Sequence, residues 1–187
     1  MHFIKFLTVP LVAFSTAVSG YAVGLDTVGK SHLARRDAAT LVADLQVYGD
    51  RASDLDAALS QFNGNAGQSP RVSQAMSALQ AITQQLAGDI VASPALTGSD
   101  SRSVANLLTS QLSVSTSIFN KFISKRDLFA NVGQDNEVLF FLTSADGFVR
   151  NIIPNFKIKL AAQDNGGVTT FQNNLSQLLK RAINAYS

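Results

Sequence analysis

Cysteine and tryptophan are absent from this chain, and histidine and glutamate nearly so. Its 187 residues hold two histidines, His2 and His32, and one glutamate, Glu137. Both histidines precede residue 37, in a segment read below as removed. What remains has no imidazole or thiol, so no Ser-His-Asp or Cys-His set and no His/Cys zinc site can be assembled. Gly166-Gly167 lacks the lysine and helix entry of a phosphate-cradling loop. A carboxylate pair for sugar hydrolysis, such as Asp44 with Asp135 or Asp146, can be imagined. No spacing selects it, and aspartates on amphipathic helices are ordinarily solvated. No metal, no cofactor and no catalytic residue are expected. Without cysteine there are no disulfides, so packing of apolar side chains must hold the fold.

Long uncharged apolar runs are also missing, apart from one at the start. Met1 to Ala22 has the form of a secretory signal: His2 and Lys5, an apolar run from Phe6 to Val18, then the small residues Ser19, Gly20 and Ala22. The run is shorter than the ~20 residues of a membrane span. Cleavage after Gly20 and after Ala22 fit equally. Residues 23–36 then read as a pro-segment ending at Arg35-Arg36, a dibasic pair of the kind that kexin-like proteases cut. Removing residues 1–36 leaves 11 Lys and Arg against 12 Asp and Glu, so the net charge falls from +2 to −1. That balance gives no electrostatic basis for nucleic-acid binding. No later segment reads as an integral membrane span.

What is present is helical periodicity. Leu41, Leu45, Tyr48, Ala52, Leu55, Leu59 and Phe62 recur at steps of four and three, the seam of a bundle helix. Val72, Met76, Leu79, Thr83, Leu86 and Ile90 repeat the pattern over about 71–92. A third helix over about 102–129 carries Val104, Leu108, Gln111, Ser115, Ile118 and Phe122, with Leu112, Phe119 and Ile123 beside them. A fourth, from about Asp135, carries Val138, Leu142, Ala145, Val149 and Ile152, kinks at Pro154 and runs to about Ala162. A fifth carries Val168, Phe171, Leu175, Leu178, Ala182 and Tyr186. No segment alternates as a strand does. The spacing predicts an all-α single domain over 37–187, an antiparallel bundle of about five amphipathic helices. Asn174-Leu175-Ser176 is a glycosylation sequon.

Phenylalanine is the abundant aromatic. Of the nine after residue 36, Phe119, Phe122, Phe140, Phe141 and Phe148 are among those on the third and fourth helices. Two readings are open: ordinary core packing, or a slot between slightly splayed helices. The polar pair Gln111 and Ser115 interrupts its stripe, either as a partly exposed face or as polar groups aimed into an apolar space. In the slot reading the third helix supplies Leu108, Leu112, Phe119 and Phe122, and the fourth Phe141, Ala145 and Phe148. Gln111, Ser115 or Ser144 would then bind a carboxylate.

Several stretches resemble the fungal hydrophobic surface-binding protein A family, which includes cell wall galactomannoproteins. They are 37–45 (DAATLVADL), 53–59 (SDLDAAL), 79–82 (LQAI), and the region from Lys125-Arg126-Asp127-Leu128-Phe129 through Ser144-Ala145-Asp146-Gly147-Phe148. The resemblance implies a secreted or wall-associated five-helix domain that is not an enzyme. It implies as partner a fatty acid or other long-chain lipid in an apolar cavity, or a hydrophobic surface. The alternative within the family is a structural wall mannoprotein with no small ligand. The chain has no Ser/Thr-rich tail after the fifth helix, which favours a freely secreted form.

Overall fold

The computed structural model describes residues 37–187. The expected signal segment, the pro-segment and the Arg35-Arg36 pair lie outside the described residues. Asp37 caps the first helix. Its carboxylate accepts from the Thr40 backbone N–H at 2.9 Å and from the Thr40 hydroxyl at 3.1 Å, and these bonds hold it below the usual carboxylate range.

The helices are α1 (Ala38–Gln61), α2 (Ser69–Ala92), α3 (Gly98–Ser110), α4 (Leu112–Ser124), α5 (Arg126–Asn131), α6 (Asp135–Asn151), α7 (Ile153–Lys159) and α8 (Asn165–Tyr186). Short 3-10 turns, Ala66–Gln68 and Ala162–Asp164, lead into α2 and α8. There is no strand among the described residues, and no described helix is long and apolar enough to cross a membrane. The five expected spans are therefore present, two of them broken. The third divides into α3, α4 and α5, and the fourth divides at Ile152, next to Pro154.

The break at Gln111 has a local cause. The Thr109 hydroxyl donates to Ala105 O at 2.9 Å, the Ser110 hydroxyl to Leu107 O at 2.7 Å, and Gln111 Nε2 to the same carbonyl at 3.3 Å. Side chains that bond back to the preceding turn compete with the helix's own ladder.

Long-range ties fix the direction of each helix. Lys121 on α4 pairs with Asp56 at 2.7 Å, and its Nζ donates to Ser60 Oγ, so α1 and α4 end together. The Tyr186 hydroxyl donates to Phe122 O at 2.8 Å, bringing the end of α8 to the same pole. At the other pole Lys159 Nζ donates to Val91 O at 3.4 Å and to Ser93 O, so α7 ends beside the end of α2. Gln134 Nε2 meets Ser73 Oγ at 2.8 Å where α2 and α6 begin. The bundle thus runs up (α1), down (α2), up (α3–α4), down (α6–α7) and up (α8). α2 and α6 are neighbours running the same way.

The core follows the sequence stripes. Leu41, Leu45, Leu55 and Leu59 of α1 are fully enclosed, as are Ile90, Val104, Leu142, Val168 and Leu179. A run of phenyl rings closes the pole where α1 ends. Phe62 stacks on Phe129 at 4.5 Å between ring centroids, Phe129 meets Phe122 at 5.7 Å, and Phe122 meets Phe141 at 5.6 Å. Such pairs add to the stabilisation from burial.

Candidate ligand-binding cleft

α2 packs along α1, and α6 packs along α8, over most of their lengths. α2 and α6 meet far more sparsely. Each has its apolar stripe turned toward a different partner, so the space between them is left part-filled. A cleft of about 370 Å³ results, within the range of roughly 300–1,000 Å³ seen for small-molecule sites.

Leu79, Leu86 and Ala87 of α2 form one wall, and Phe141, Ala145, Phe148 and Val149 of α6 the other. Leu45 and Tyr48 of α1, Leu108 of α3, Ile118 and Phe119 of α4, and Phe171 and Leu175 of α8 close the back. Gln80 and Gln84 on α2 and Phe140, Ser144 and Asn151 on α6 stand at the mouth. Gln84, Phe140 and Asn151 are solvent-exposed, so the cleft opens sideways between the two helices.

Of the residues singled out from sequence, Leu108, Ser115, Phe119, Phe141, Ser144, Ala145 and Phe148 line this cleft. Three do not. Phe122 is fully enclosed in the ring cluster, behind Phe141. Leu112 lies half-buried in a shallow outer groove between α4 and α8, beside Asn174, Leu178 and Arg181. Gln111 sits at the α3–α4 break, where its amide lies against Gly49 of α1. A Cβ at Gly49 would fall 2.9 Å from Gln111 Oε1, so glycine allows this approach. The two polar residues of the interrupted stripe therefore have separate fates: Gln111 packs on α1, and Ser115 faces the cleft. The nine phenylalanines divide likewise, some into the core and some onto the cleft.

The α2 wall and the α1 floor were not expected. Thr83, a polar residue in an otherwise apolar stripe, was the available signal. It reaches the cleft with its hydroxyl bonded to Leu79 O at 2.7 Å.

The interior of the cleft is mainly apolar, with the Ser115 hydroxyl and the Tyr48 phenol together at its back. Ser115 is buried, and its Oγ makes no hydrogen bond of standard geometry. It lies close enough to the Tyr48 phenol to draw that group's pKa down, against the larger upward push from burial. A buried hydroxyl whose hydrogen bonding is incomplete is favourably met by an added polar group. No cationic side chain lines the cleft.

The carboxylates considered for hydrolysis lie apart from it. Asp44 accepts from Gln85 Nε2 at 2.8 Å between α1 and α2. Asp146 pairs with Arg150 one turn along α6, and that bond raises the arginine's pKa. Asp135 opens α6. Among the described residues no cluster of His, Cys, Asp or Glu could hold a metal ion.

The sequence profile of the family described as hydrophobic surface binding protein A matches residues 38–146. No match is found among curated proteins. Among solved structures, the chain is similar to AFMP4P in complex with palmitic acid, at 21% identity and a TM-score of 0.76, covering 81% of this chain and 100% of that one. It is also similar to ligand binding domain 1 of the Penicillium marneffei MP1 protein complexed with arachidonic acids, at 14% identity and a TM-score of 0.61. That match covers 77% of this chain and 99% of the other. Ligand binding domain 2 of the same protein, complexed with multiple arachidonic acids, matches at 12% identity and a TM-score of 0.61, covering 78% and 96%. These likenesses establish the helical fold.

Proposed function

The chain belongs to the hydrophobic surface binding protein A family, and from that premise we propose that the cleft between α2 and α6 takes the acyl chain of a fatty acid. The observation that carries this reading is a space of about 370 Å³ with apolar walls and a buried hydroxyl, Ser115 Oγ, beside the Tyr48 phenol at its back. An acyl chain would lie along Leu79, Leu86, Phe119, Phe141, Phe148 and Phe171. Its carboxyl end would take the Ser115 hydroxyl, or Ser144 nearer the mouth. Leu108 and Ala145 complete the wall, while Gln111, Leu112 and Phe122 have no part in the contact. The palmitic and arachidonic acids of the structural neighbours support a ligand of this class.

The driving force is burial of methylenes. About 15 of them at ~0.8 kcal/mol each give on the order of 10 kcal/mol, which the cost of association reduces to roughly micromolar affinity. The role is binding, with no chemical step.

The same reading makes this an exported protein. The leader of residues 1–22 is removed, residues 23–36 are cut away after Arg36, and Asn174, exposed on α8, carries a glycan. Intact-mass measurement of the protein secreted by a fungal host reads all three.

Organic extraction and mass spectrometry of the purified protein test the ligand. A fatty acid near one per chain is expected, and a lipid-free protein that takes up none on incubation refutes the cleft. Phe141→Ser is expected to abolish retention on phenyl-coated beads. Unchanged retention would favour a structural wall protein with no small ligand.

A further inference from the structure

Four large apolar side chains stand well exposed among the described residues: Val47, Val91, Phe140 and Ile158, at 40, 59, 66 and 74% of full accessibility. Three of them lie on the helical runs that border the cleft, α2 and α6–α7. On α2, residues Ser73, Ser77, Gln80, Gln84, Ala87 and Val91 follow at steps of three and four, so they form a single stripe. Gln80, Gln84 and Ala87 of that stripe edge the cleft. On α6, Phe140, Ser144, Gly147 and Asn151 form the opposite edge by the same spacing, and Ile158 falls seven residues beyond Asn151 on α7. Val91 and Ile158 lie at the same pole, where Lys159 ties α7 to the end of α2. Phe140 lies toward the other end of the mouth.

Neither stripe carries a charge itself; Glu137, Arg150 and Lys157 flank the α6–α7 one. The only charged residues in α2 are Arg71, at its start, and Asp89, which is buried. Lys159, beside Ile158, has its ammonium turned onto the Val91 and Ser93 carbonyls. The exposed side of α1, by contrast, carries Asp50, Arg51 and Asp54. At 1.5 Å per residue the strip runs for roughly 25 Å along α6 and α7.

We propose that this uncharged strip, bordering the cleft from Phe140 to Val91 and Ile158, is the face by which the protein docks onto a neutral lipid surface. Adsorption and acyl-chain transfer then use the same opening. The proposal rests on the reading of the cleft as an acyl-chain site. The chemistry selects the partner. Laying a charged face on oil strips ions of water at high cost, whereas this strip offers amides, hydroxyls and exposed apolar groups, with the flanking Glu137, Arg150 and Lys157 at its margin on α6 and α7. Phe140, exposed and at the mouth, joins this strip to the apolar interior, and exposed apolar groups beside a ligand-binding groove are the mark of a contact site. A chain leaving the lipid phase through this mouth would pass into the cleft without crossing water.

The test uses the full secreted chain and triolein droplets coated with phosphatidylcholine, with bound protein read by flotation. The wild type is expected to float equally in low salt and in 1 M NaCl, because no exposed ion pair mediates contact. Val91→Asp and Ile158→Asp are each expected to lower the bound fraction at least tenfold. Val47→Asp, which places the same charge on α1, should change it less than twofold. Binding of monomeric cis-parinaric acid, followed by fluorescence, is measured on the same proteins. Neither Val91 nor Ile158 lines the cleft, so both variants should keep the wild-type affinity within twofold.

Equal loss in Val47→Asp and Ile158→Asp would overturn the assignment of the face, as would release of the wild type by salt. A wild type that floats through this face but takes up no parinaric acid would overturn the acyl-chain reading of the cleft, and with it the shared opening.

Discussion

Gly147 lies on the α6 edge of the cleft, and a Cβ there would meet no other atom within 4 Å. A side chain at this position therefore starts into open space, and the outer carbons of leucine should extend over the cleft. Two effects follow, of opposite consequence. Removing glycine from a helix interior gains about 0.5–1 kcal/mol, which for a domain of this length raises Tm by roughly 2–3 °C. The four added carbons occupy room otherwise open to three or four methylenes of an acyl chain. At ~0.8 kcal/mol for each displaced methylene the loss is about 3 kcal/mol, or about 100-fold in Kd. Gly147→Ala serves as the control, with most of the helix gain and little filling. The measurements are a thermal melt of delipidated protein and displacement titration of a fluorescent fatty acid. The expected result for Gly147→Leu is a higher Tm with much weaker binding, and for Gly147→Ala a higher Tm with affinity nearly unchanged. A stabilised Gly147→Leu that binds as tightly as the wild type would show that the chain sits elsewhere.

Ser115→Ala removes a buried hydroxyl that makes no hydrogen bond of standard geometry and lies beside the Tyr48 phenol. It should change the stability of the empty protein by no more than about 1 kcal/mol and weaken fatty-acid binding about tenfold, while leaving affinity for the matching alkane unchanged; melts and paired titrations read this. Phe122→Ala empties a fully enclosed site in the ring cluster and should cost about 3–5 kcal/mol by chemical denaturation, with less effect on affinity than Phe141→Ser. Tyr186→Phe loses the 2.8 Å bond to Phe122 O, a cost of about 1 kcal/mol at neutral pH. Burial raises the Tyr186 pKa above its unfolded value, so the tyrosine's contribution is intact below about pH 10 and falls away as pH rises further. The gap in Tm between wild type and Tyr186→Phe should therefore narrow above about pH 10. Asp37→Asn should lower Tm at neutral pH, and the difference should shrink below about pH 4. The cap's carboxyl has a depressed pKa, so it stabilises above its unfolded value and ceases to do so once protonated.

Helical spacing carried much of the architecture. The stripe from Leu41 to Phe62 is the buried face of α1, and those of α2 and α8 hold with few exceptions. Periodicity states which side of a helix is buried, and it is silent on which helix lies against it. That is why Phe119, Phe141 and Phe148 were legible as cleft residues while the α2 wall opposite them was not. The break at Gln111 was illegible for another reason. No glycine or proline marks it, and it arises from hydroxyl and amide groups bonding back to the helix. Phe122 shares its stripe with Ser115, two turns away. It was assigned to the cleft because spacing alone cannot tell a ring stacked on Phe129 from one facing open space.

α2 is fastened at both poles to the α6–α7 run opposite it: Ser73 to Gln134, just before α6, at one, and Val91 and Ser93 to Lys159, at the end of α7, at the other. Two fixed points with a loose middle make a buttonhole. Its length is set by the fastenings, and its width can flex only by bowing. Slender linear guests should slip through, and branched or fused-ring ones should be refused unless a fastening is undone. Competition between straight and branched acids, repeated with Lys159→Met, would reveal whether the stitching decides which molecules enter.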